Sequence, residues 1–404
     1  MKILFFTHYY EPEVGPATKR IAGLAKNLKA QGHQVSIVTG FPNYPSGIKS
    51  KEYSRKLFMK EQIDGIDIYR YYIYSSPNKT SFVRILNYLS LMLSSLFFIF
   101  NLKKYDHIVA TSPPLFTSLS GFIVSRFKKS KFILDVRDVW PDIGIEMGEL
   151  SKNSMLYRVM NRISNFLYKK SDLITVVTYG KKEKLSLKGI SKEKIAVISN
   201  GFDKEVLNEK DNYQLIDRYN IKEKFTLVYA GIIGLAQGME IIIEAAKHFN
   251  NNNNIQFLIV GDGYKRKELE EKAINLGLTN IYFVGMQPHS SVISILKNAD
   301  ASIVPLKSDK LQDSVPTKML ESLGIGCPVI LCAGGEARRI LEKSNGGIAV
   351  NSGDHIELVS IINQLYNKEL SRTEMSESGR EFVLQHFTRD EIANKLSDVL
   401  SKLG

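Results

Sequence analysis

Short runs of apolar residues alternate with longer stretches of helical periodicity along this 404-residue chain. Most of the apolar runs are continuous rather than alternating, which is typical of parallel strands that are covered on both faces. The predicted strands are residues 2–7, 34–39, 66–72, 107–111, 131–136, 173–177, 195–199, 226–230, 255–260, 281–284, 301–304 and 328–331. Helical stretches between strands predict an α/β protein with doubly wound sheets.

The alternation of strands and helices begins twice along the chain. Strand 2–7 leads through a loop with Gly15 to a helix at 18–30, and strand 226–230 leads through Gly231 and Gly238 to a helix at 239–249. Two glycine-containing first loops indicate two similar Rossmann-like domains that face one another. A ligand is then expected in the cleft, at the carboxyl ends of both sheets.

The expected boundaries follow from the same pattern. Residues 1–203 are expected to form an N-terminal domain, the polar stretch 204–224 a linker, and residues 225–385 a C-terminal domain. Residues 386–404 form a last helix, for which packing back on the N-terminal domain is one possibility. The segment 200–203 contains Gly201, which allows either a simple turn or a hinge between the domains.

Residues 85–102 do not fit a soluble Rossmann unit, because 18 successive residues carry no charge between Arg84 and Lys103. As a helix this segment is about 27 Å long, slightly less than the hydrocarbon core of about 30 Å. Asn87, Ser90 and Ser94 share one helical stripe, which argues against a lone membrane span. An in-plane membrane helix with basic flanks is expected, with a buried core helix as the alternative.

Charge divides the chain unequally. Residues 1–200 carry a balance of +16 and residues 201–404 a balance of −4, within a total of +12. A basic half joined to a slightly acidic half indicates one domain that faces an anionic surface, although a merely solubilising surface would look the same. The charge is dispersed and no recognition module appears, so a nucleic-acid binder is not expected.

Two cysteines, Cys327 and Cys332, match neither a redox nor a zinc motif, and the scattered histidines show no ligand spacing. We therefore expect a reducing cytoplasm and no metal. The apolar run at 3–6 is too short for a signal peptide and is interpreted as a buried first strand.

The segment 311–321 carries the densest candidate chemistry. Pro316 is suited to begin a helix, and a helix N-terminus offers free N–H groups to a phosphate. Lys318 adds a full charge in the first turn, and Glu321 lies one turn further, where its carboxylate can accept hydrogen bonds from a ribose diol. This arrangement predicts a nucleotide-sugar site; an ordinary charged surface helix is the alternative.

Other candidates follow strand ends. Arg137, Asp138 and Trp140 come directly after strand 131–136, which predicts a place at the cleft. The alternative for Arg137 and Asp138 is an ion pair across a turn, and Trp140 has two interpretations, binding of a sugar face or anchoring of its loop. Gly261, Gly263 and Met286 lie in short loops after two later strands, where main-chain groups can read a flat base, while Gly15 and Gly231 let the backbone approach phosphate closely.

With these residues assembled, the chain resembles retaining glycosyltransferases of the GT-B fold, in the large family headed by sucrose and lipopolysaccharide transferases. Within it, the chain is most similar to bacterial O-antigen and capsule transferases such as N-acetyl-L-fucosamine transferases. The matching segments are residues 11–20, 42–45, 135–141, 200–203, 231–238 and 314–321.

The resemblance implies roles residue by residue. The Glu-x7-Glu element of the family maps onto Asp313 and Glu321, so its first position is an aspartate here. Arg and Lys of the family's phosphate loop are replaced by Ile232 and Gln237, which shifts neutralisation of the diphosphate toward Lys318. The family's cleft histidine corresponds best to Arg137. The expected donor site is Gly15, Gly231, Gln237, Gly261, Gly263, Met286, Ser314, Val315, Lys318 and Glu321, and the expected catalytic set is Asp138, Arg137, Lys318 and Asp313.

The resemblance also implies a metal-independent enzyme with no cofactor besides its donor substrate, a UDP-sugar. The acceptor would be a sugar linked to polyprenyl diphosphate, at the inner face of the cell membrane. Two other hypotheses stay open: a UDP-sugar 2-epimerase of the same fold, and a non-catalytic sugar-nucleotide-binding partner of a polysaccharide assembly complex.

Overall fold

The structure is a computed structural model that describes residues 1–44, 46–49, 51–78, 80–148, 150–307 and 311–403. The chain divides into two compact units. The first comprises Met1–Gly201 together with the C-terminal segment from Arg389, and the second comprises Phe202–Thr388.

The first unit contains an eight-stranded sheet in the order β3-β4-β2-β1-β5-β6-β7-β8. All neighbouring strands are parallel except β3, which pairs antiparallel with β4. The strands are β1 (Lys2–Phe6), β2 (Gln34–Gly40), β3 (Phe58–Ile63), β4 (Ile66–Tyr71), β5 (His107–Ser112), β6 (Lys131–Val136), β7 (Leu173–Val176) and β8 (Ile195–Val197).

The second unit contains a six-stranded parallel sheet in the order β11-β10-β9-β12-β13-β14. Its strands are β9 (Phe225–Ala230), β10 (Ile255–Val260), β11 (Ile281–Gly285), β12 (Ala301–Pro305), β13 (Val329–Cys332) and β14 (Gly347–Val350). Two Rossmann-like α/β units with parallel sheets confirm the predicted fold class.

Helices connect the strands in both units. Those of the first unit are α1 (Pro16–Ala30), α2 (Ser81–Phe97), α3 (Leu115–Lys128), α4 (Asp142–Glu146), α5 (Met155–Lys170), α6 (Tyr179–Leu187) and the C-terminal α15 (Arg389–Ser401). Those of the second unit are α7 (Tyr213–Arg218), α8 (Glu240–His248), α9 (Arg266–Asn275), α10 (His289–Asn298), α11 (Thr317–Ile325), α12 (Gly335–Ser344), α13 (His355–Tyr366) and α14 (Arg372–His386).

Each sheet is buried on both faces, as the continuous apolar runs predict. Alternate residues of β1 point to opposite sides, so that Leu4 and Phe6 join one apolar cluster and Ile3 and Phe5 join another. In the second unit, Leu227 and Val228 of β9 divide in the same way.

Two strands were not predicted. The edge strand β3 alternates exposed and partly buried residues and turns into β4 through Asp64 and Gly65, both with positive φ, which is the geometry of a tight hairpin turn. Its polar alternation hid it from a search for continuous apolar runs. The short β14 contains few residues and begins with glycine, which weakens any strand signal.

The stretch 204–224 differs from the expected linker, because it lies within the second unit. It contains a 3-10 turn at Lys204–Asn208 and helix α7. Val206, Ile216 and Ile221 are buried in one apolar cluster of that unit. A few apolar anchors within a polar segment are sufficient to fix it to the domain.

The last predicted helix, 386–404, is in fact the end of α14 followed by a separate helix, α15. Ile392, Ala393, Leu396 and Leu400 of α15 are buried in the cluster that also contains Ile21 and Leu24 of α1. The C-terminal helix therefore belongs to the first unit.

The uncharged segment 85–102 forms most of α2, which starts at Ser81 and ends at Phe97, followed by a 3-10 turn at Ile99–Asn101. Thr80 caps the helix by accepting a hydrogen bond from the N–H of Val83. None of the helices in the described ranges combines the length and apolarity that a bilayer crossing needs.

Candidate functional site

Backbone rather than side chains lines the carboxyl ends of three neighbouring strands in the second unit. The N–H of Gly231 donates to the carbonyl of Val260, and the N–H of Gly261 donates to that of Gly285. A Cβ on Gly261 would lie 1.9 Å from the carbonyl oxygen of Gly231, so only glycine permits this approach. Gly263 is equally constrained, because a Cβ there would lie 2.3 Å from the carbonyl oxygen of Ile233.

Lys318 brings a cation to this backbone-lined edge. Its Nζ lies 2.6 Å from the hydroxyl oxygen of Tyr229 and 3.9 Å from the centre of that ring. The same amine would be 2.8 Å from a Cβ on Gly231, which places it against the loop after β9. Burial lowers the pKa of Lys318 to about 7, because desolvation disfavours the charged form.

The helix that carries Lys318 begins one residue later than predicted. Pro316 is the N-cap of α11, and Thr317 is the first helical residue. Lys318 nevertheless lies in the first turn, where unsatisfied N–H groups are available. Ser314 and Val315 are half-buried just before the helix, and Asp313 is buried.

Glu321, one turn further along α11, pairs with His289. The carboxylate oxygen and the ring Nε2 are 2.6 Å apart, and both side chains are partly exposed. His289 is the first residue of α10. The predicted ribose ligand therefore has a protein partner that sequence reasoning did not identify.

Two further predicted donor residues, Gln237 and Met286, occupy loops of this edge. Gln237 accepts a hydrogen bond from the N–H of Gly234, so it closes its own loop. Met286 and Ile232 are exposed. Met286 directly follows β11, and Ile232 follows Gly231, the first residue after β9.

Arg137 and Asp138 follow β6 at the carboxyl edge of the first sheet, as predicted. The Arg137 guanidinium donates through Nη2 to the carbonyl of Pro113, and its buried Nε has no hydrogen-bond partner within the described ranges. Burial lowers the pKa of Arg137. The Asp138 carboxylate is 3.8 Å from Nζ of Lys181.

His8 lies at the same edge, directly after β1. Its Nε2 is 2.7 Å from the side-chain oxygen of Asn87, and its Nδ1 is 3.3 Å from the Thr117 hydroxyl. The rings of Tyr9 and Tyr88 meet its ring edge-on, at centroid distances of 4.6 and 4.9 Å. Burial lowers the pKa of His8 to about 4, and nearby Arg137 adds to this effect. His8 is therefore neutral at pH 7.

Glu13 holds together two loops that sequence reasoning treated separately. Its buried carboxylate accepts hydrogen bonds from the N–H groups of Tyr10, Asn43 and Tyr44. Burial raises the pKa of Glu13, although the three N–H groups oppose this. The segments 11–20 and 42–44 thus meet at one carboxylate.

Asp135 and Trp140 have structural surroundings. Asp135 pairs with Arg20 at 2.8 Å, with both side chains almost fully buried, and it accepts a hydrogen bond from Thr175. Trp140 packs against the core of the first unit, which favours the loop anchor of its two interpretations.

Gly15, at the start of α1, has an extended φ of 171°, and a Cβ there would meet no atom within 4 Å. The fold therefore does not require glycine at this position.

Four residues of these edges were missed: His8, Glu13, Tyr229 and His289. His8 directly follows the first strand, so the argument that found Arg137 would have found it too. The other three depend on partners distant in sequence, for which the chain offers no local signal.

Comparisons with known proteins match both units. A model described as "Glycosyl transferase 4-like domain" matches residues 15–201, and one described as "Glycosyl transferases group 1" matches residues 212–382. Together they span most of the chain.

Several relatives cover most of the chain at low identity. The glycosyl transferase WcaI of Escherichia coli (strain K12), named for colanic acid biosynthesis, is 24% identical over 341 residues, or 82% of this chain and 83% of that protein. Glycosyltransferase WbjE of Pseudomonas aeruginosa is 24% identical over 273 residues, covering 67% and 68% of the two chains.

Solved structures share the fold along the whole length. Anabaena HepE in complex with UDP-glucose superimposes with a TM-score of 0.73 at 16% identity, covering 100% of both chains. WaaG, a glycosyltransferase involved in lipopolysaccharide biosynthesis, gives a TM-score of 0.70 at 15% identity, covering 99% of both.

Proposed function

Because the chain belongs to the group 1 glycosyltransferases and has the GT-B fold, we propose that it transfers a sugar from a UDP-sugar to a lipid-linked saccharide, with retention of anomeric configuration. One observation carries the proposal: Lys318 places a cationic group against the Gly231 backbone at the N-terminus of α11. Cation, free N–H groups and close backbone approach are what a diphosphate requires.

The donor is assigned from this edge. Gly231 and Gly261 admit a phosphate or flat base close to the main chain, and Glu321 offers a carboxylate to the ribose hydroxyls one turn away. His289 then orients the carboxylate of Glu321 through their 2.6 Å contact. The occurrence of UDP-glucose in HepE, which has the same fold, supports a uridine nucleotide.

The chemistry follows from where charge develops. As the sugar–phosphate bond breaks, negative charge grows on the departing diphosphate, and fixed donors aimed there lower the barrier. Lys318 and the α11 N-terminus supply those donors. Ser314 and Val315 border this end of the helix, and buried Asp313 faces the donor sugar in this proposal. Retention follows when the acceptor hydroxyl attacks from the face that the leaving group vacates.

The acceptor is assigned to the first unit. Asp138, half-exposed beside Lys181, would orient the acceptor hydroxyl or remove its proton. Arg137, the neighbour of Asp138, would add a buried positive charge at this strand end. Gly15 keeps its assignment to the donor, because the open space at the start of α1 leaves room for a phosphate.

The lipid character of the acceptor is supported by α2. Phe82, Leu86, Leu93 and Phe97 lie on one helical stripe, and all four are exposed. Asn87 and Ser94 instead face the protein, where they bond to the carbonyls of Tyr74 and Tyr72. A helix with its apolar stripe outward requires an apolar neighbour, and the basic charge of this half favours an anionic membrane. We therefore assign the protein peripherally to the inner face of the cell membrane.

The names of two similar proteins support the class of polymer that this chain would help to build. WcaI is named for colanic acid biosynthesis and WaaG for lipopolysaccharide biosynthesis, which supports a role in O-antigen or capsule assembly. Within that role we propose an N-acetylated hexosamine or 6-deoxyhexosamine, such as N-acetyl-L-fucosamine, as the transferred sugar.

The test is to incubate the purified protein with individual UDP-sugars and a bacterial polyprenyl-lipid extract, and to analyse the lipid fraction by mass spectrometry. We expect UDP release and a mass gain of one N-acetylated sugar, with the donor's anomeric configuration in the product by NMR. Transfer without a metal predicts unchanged turnover in EDTA.

Other outcomes would contradict the proposal. Appearance of an epimeric UDP-sugar without acceptor would identify an epimerase. Saturable UDP-sugar binding without UDP release on any lipid would identify a non-catalytic binding protein. Lys318→Ala should reduce both UDP release and UDP-sugar binding. The matched control is Lys343→Ala, which removes an exposed lysine of α12.

A further inference from the structure

A second candidate site lies at the opposite edge of the first sheet from His8 and Arg137. A cavity of about 830 Å³ opens at the amino ends of β5, β6 and β7. It is lined by Lys104, Tyr105, Asp106, His107, Arg126 and Lys131, with further residues from α3 and α15. Because parallel strands place all their amino ends at one edge, this cavity is separate from the residues assigned to transfer.

The cavity carries an excess of positive charge. Lys104, Arg126, Lys129 and Lys131 line it, against two carboxylates that are already engaged. Asp106 accepts a hydrogen bond from the N–H of Lys2. No carboxylate lies within ion-pair distance of Lys104, Lys129 or Lys131 in the part of the chain that the structure describes. An anion is therefore the complementary ligand.

The second carboxylate, Asp172, accepts the N–H of Phe132 at 2.8 Å and Nη2 of Arg126 at 3.4 Å. The same Arg126 nitrogen also donates to the carbonyl of Lys170. These two contacts hold the Arg126 guanidinium at the wall of the cavity.

His107 adds a buried polar group to the lining. Its side chain is 3% exposed, and burial lowers its pKa, so it is a neutral donor at pH 7. The carbonyl of Leu400 lies close enough to oppose this lowering. His107 thus contributes a buried ring to the wall of the cavity, beside the carbonyl of Leu400.

Two exposed aromatic residues lie close in sequence to residues that line the cavity. Phe100 and Phe127 are exposed, and their rings meet edge-to-face at 5.4 Å. Phe100 continues the outward stripe of α2 and lies four residues before Lys104, while Phe127 lies next to Arg126. Cations beside exposed aromatic rings match the phosphate and the acyl region of a lipid.

We propose that this cavity binds the phosphate of an anionic phospholipid headgroup, with the acyl chains directed toward Phe100 and Phe127. The site extends the membrane contact of α2, and it rests on that part of the proposed function. Inorganic phosphate shares the chemistry of the headgroup, so the experiment must separate the two sources.

The test compares vesicle binding of two double variants in the full chain. Lys104→Ser with Lys131→Ser removes cavity charge, and Lys51→Ser with Lys56→Ser removes two exposed lysines elsewhere in the same unit. Cosedimentation uses phosphatidylcholine vesicles with and without phosphatidylglycerol. We expect the cavity variant to lose affinity for the anionic vesicles about tenfold, the control variant less than about twofold, and both to bind neutral vesicles as the unmodified protein does.

Equal losses in the two double variants would show attraction by overall charge and overturn the site. Inorganic phosphate that binds in a Lys104- and Lys131-dependent way, with no difference in vesicle binding, would overturn the lipid source. UDP-sugar binding is measured in parallel and should be unchanged in both variants. If the protein proves not to bind UDP-sugars at all, the transferase proposal fails while the vesicle result still decides the phosphate site.

Discussion

The carboxyl edges of the two sheets are built differently. In the second unit the edge is mostly main chain, with Gly231 and Gly261 so close that no side chain fits between them. In the first unit the corresponding edge is crowded with side chains, in which His8 bonds to Asn87 and Thr117 between two tyrosine rings. Both units have a sheet whose strands end in loops, yet the two carboxyl edges form unlike surfaces.

The difference extends to charge. In the first unit, the buried charges of Arg20 and Asp135 neutralise each other. In the second unit, the partner of Lys318 is a neutral tyrosine hydroxyl, and no carboxylate lies within ion-pair distance of its amine in the described ranges. Removing one partner of a buried charge pair destabilises the fold, whereas a cation without a counter-ion is available to a ligand. A backbone-lined edge with one such cation suits an invariant diphosphate, and a side-chain-lined edge suits a variable saccharide.

The largest expected effect concerns the paired charges. Asp135→Ala leaves the Arg20 guanidinium buried without its counter-charge, and we expect a loss of about 3–5 kcal/mol in the free energy of unfolding of the first unit. Urea denaturation followed through the fluorescence of Trp140 checks it, because Trp140 is the only tryptophan and belongs to this unit.

The matched control is Lys192→Ala, which breaks an exposed pair with Glu183 in the same unit. Exposed pairs contribute only about 0–1 kcal/mol. A urea midpoint for Asp135→Ala no lower than that of Lys192→Ala would show that the buried pair does not stabilise this unit.

The sequence predicted which residues follow the buried strands and therefore lie at the two carboxyl edges. Continuous apolar runs located β1, β6, β9 and β10, and the residues that follow them, such as Arg137, Gly231 and Gly261, are indeed at the carboxyl edges. The edge strand β3 was missed because its alternating exposure resembles a polar loop. Periodicity thus identifies buried strands well and exposed ones poorly.

Contacts between residues that are far apart in the sequence could not be predicted. His8 and Asn87 are 79 positions apart, and Tyr229 and Lys318 are 89 positions apart, so no local pattern connects them. The orientation of α2 was hidden for another reason. A polar stripe is normally assumed to face water, whereas Asn87 and Ser94 face the protein. Only the tertiary structure supplies the strand-end carbonyls that satisfy them.

The second effect concerns the single cation. Lys318→Ala removes the cationic amine beside Gly231, and we expect turnover to fall by about 10²–10³-fold, or roughly 3–4 kcal/mol of transition-state stabilisation. Steady-state UDP release measures it. Lys343→Ala should retain full turnover, and near-normal turnover of Lys318→Ala would refute the role in diphosphate stabilisation.

The smallest effect is a pH dependence that distinguishes the two edges. Lys318 has a pKa lowered to about 7, so its cationic form, which the diphosphate requires, predominates only below that pH. Donor binding must therefore take up a proton as pH rises above about 7, and the Kd of a UDP-sugar should increase up to about tenfold per pH unit. His8, with its pKa lowered to about 4, stays neutral throughout and contributes no slope.

Isothermal titration of a UDP-sugar at several pH values above 7 measures this slope, and a UDP-sugar is preferable to UDP because its phosphates do not titrate near neutrality. Lys318→Arg keeps its charge across the range, so its Kd should be nearly independent of pH. His289→Gln removes the partner of Glu321 and should leave the slope in place. A slope that survives Lys318→Arg would show that Lys318 is not the source of the proton and would remove the electrostatic distinction between the two edges.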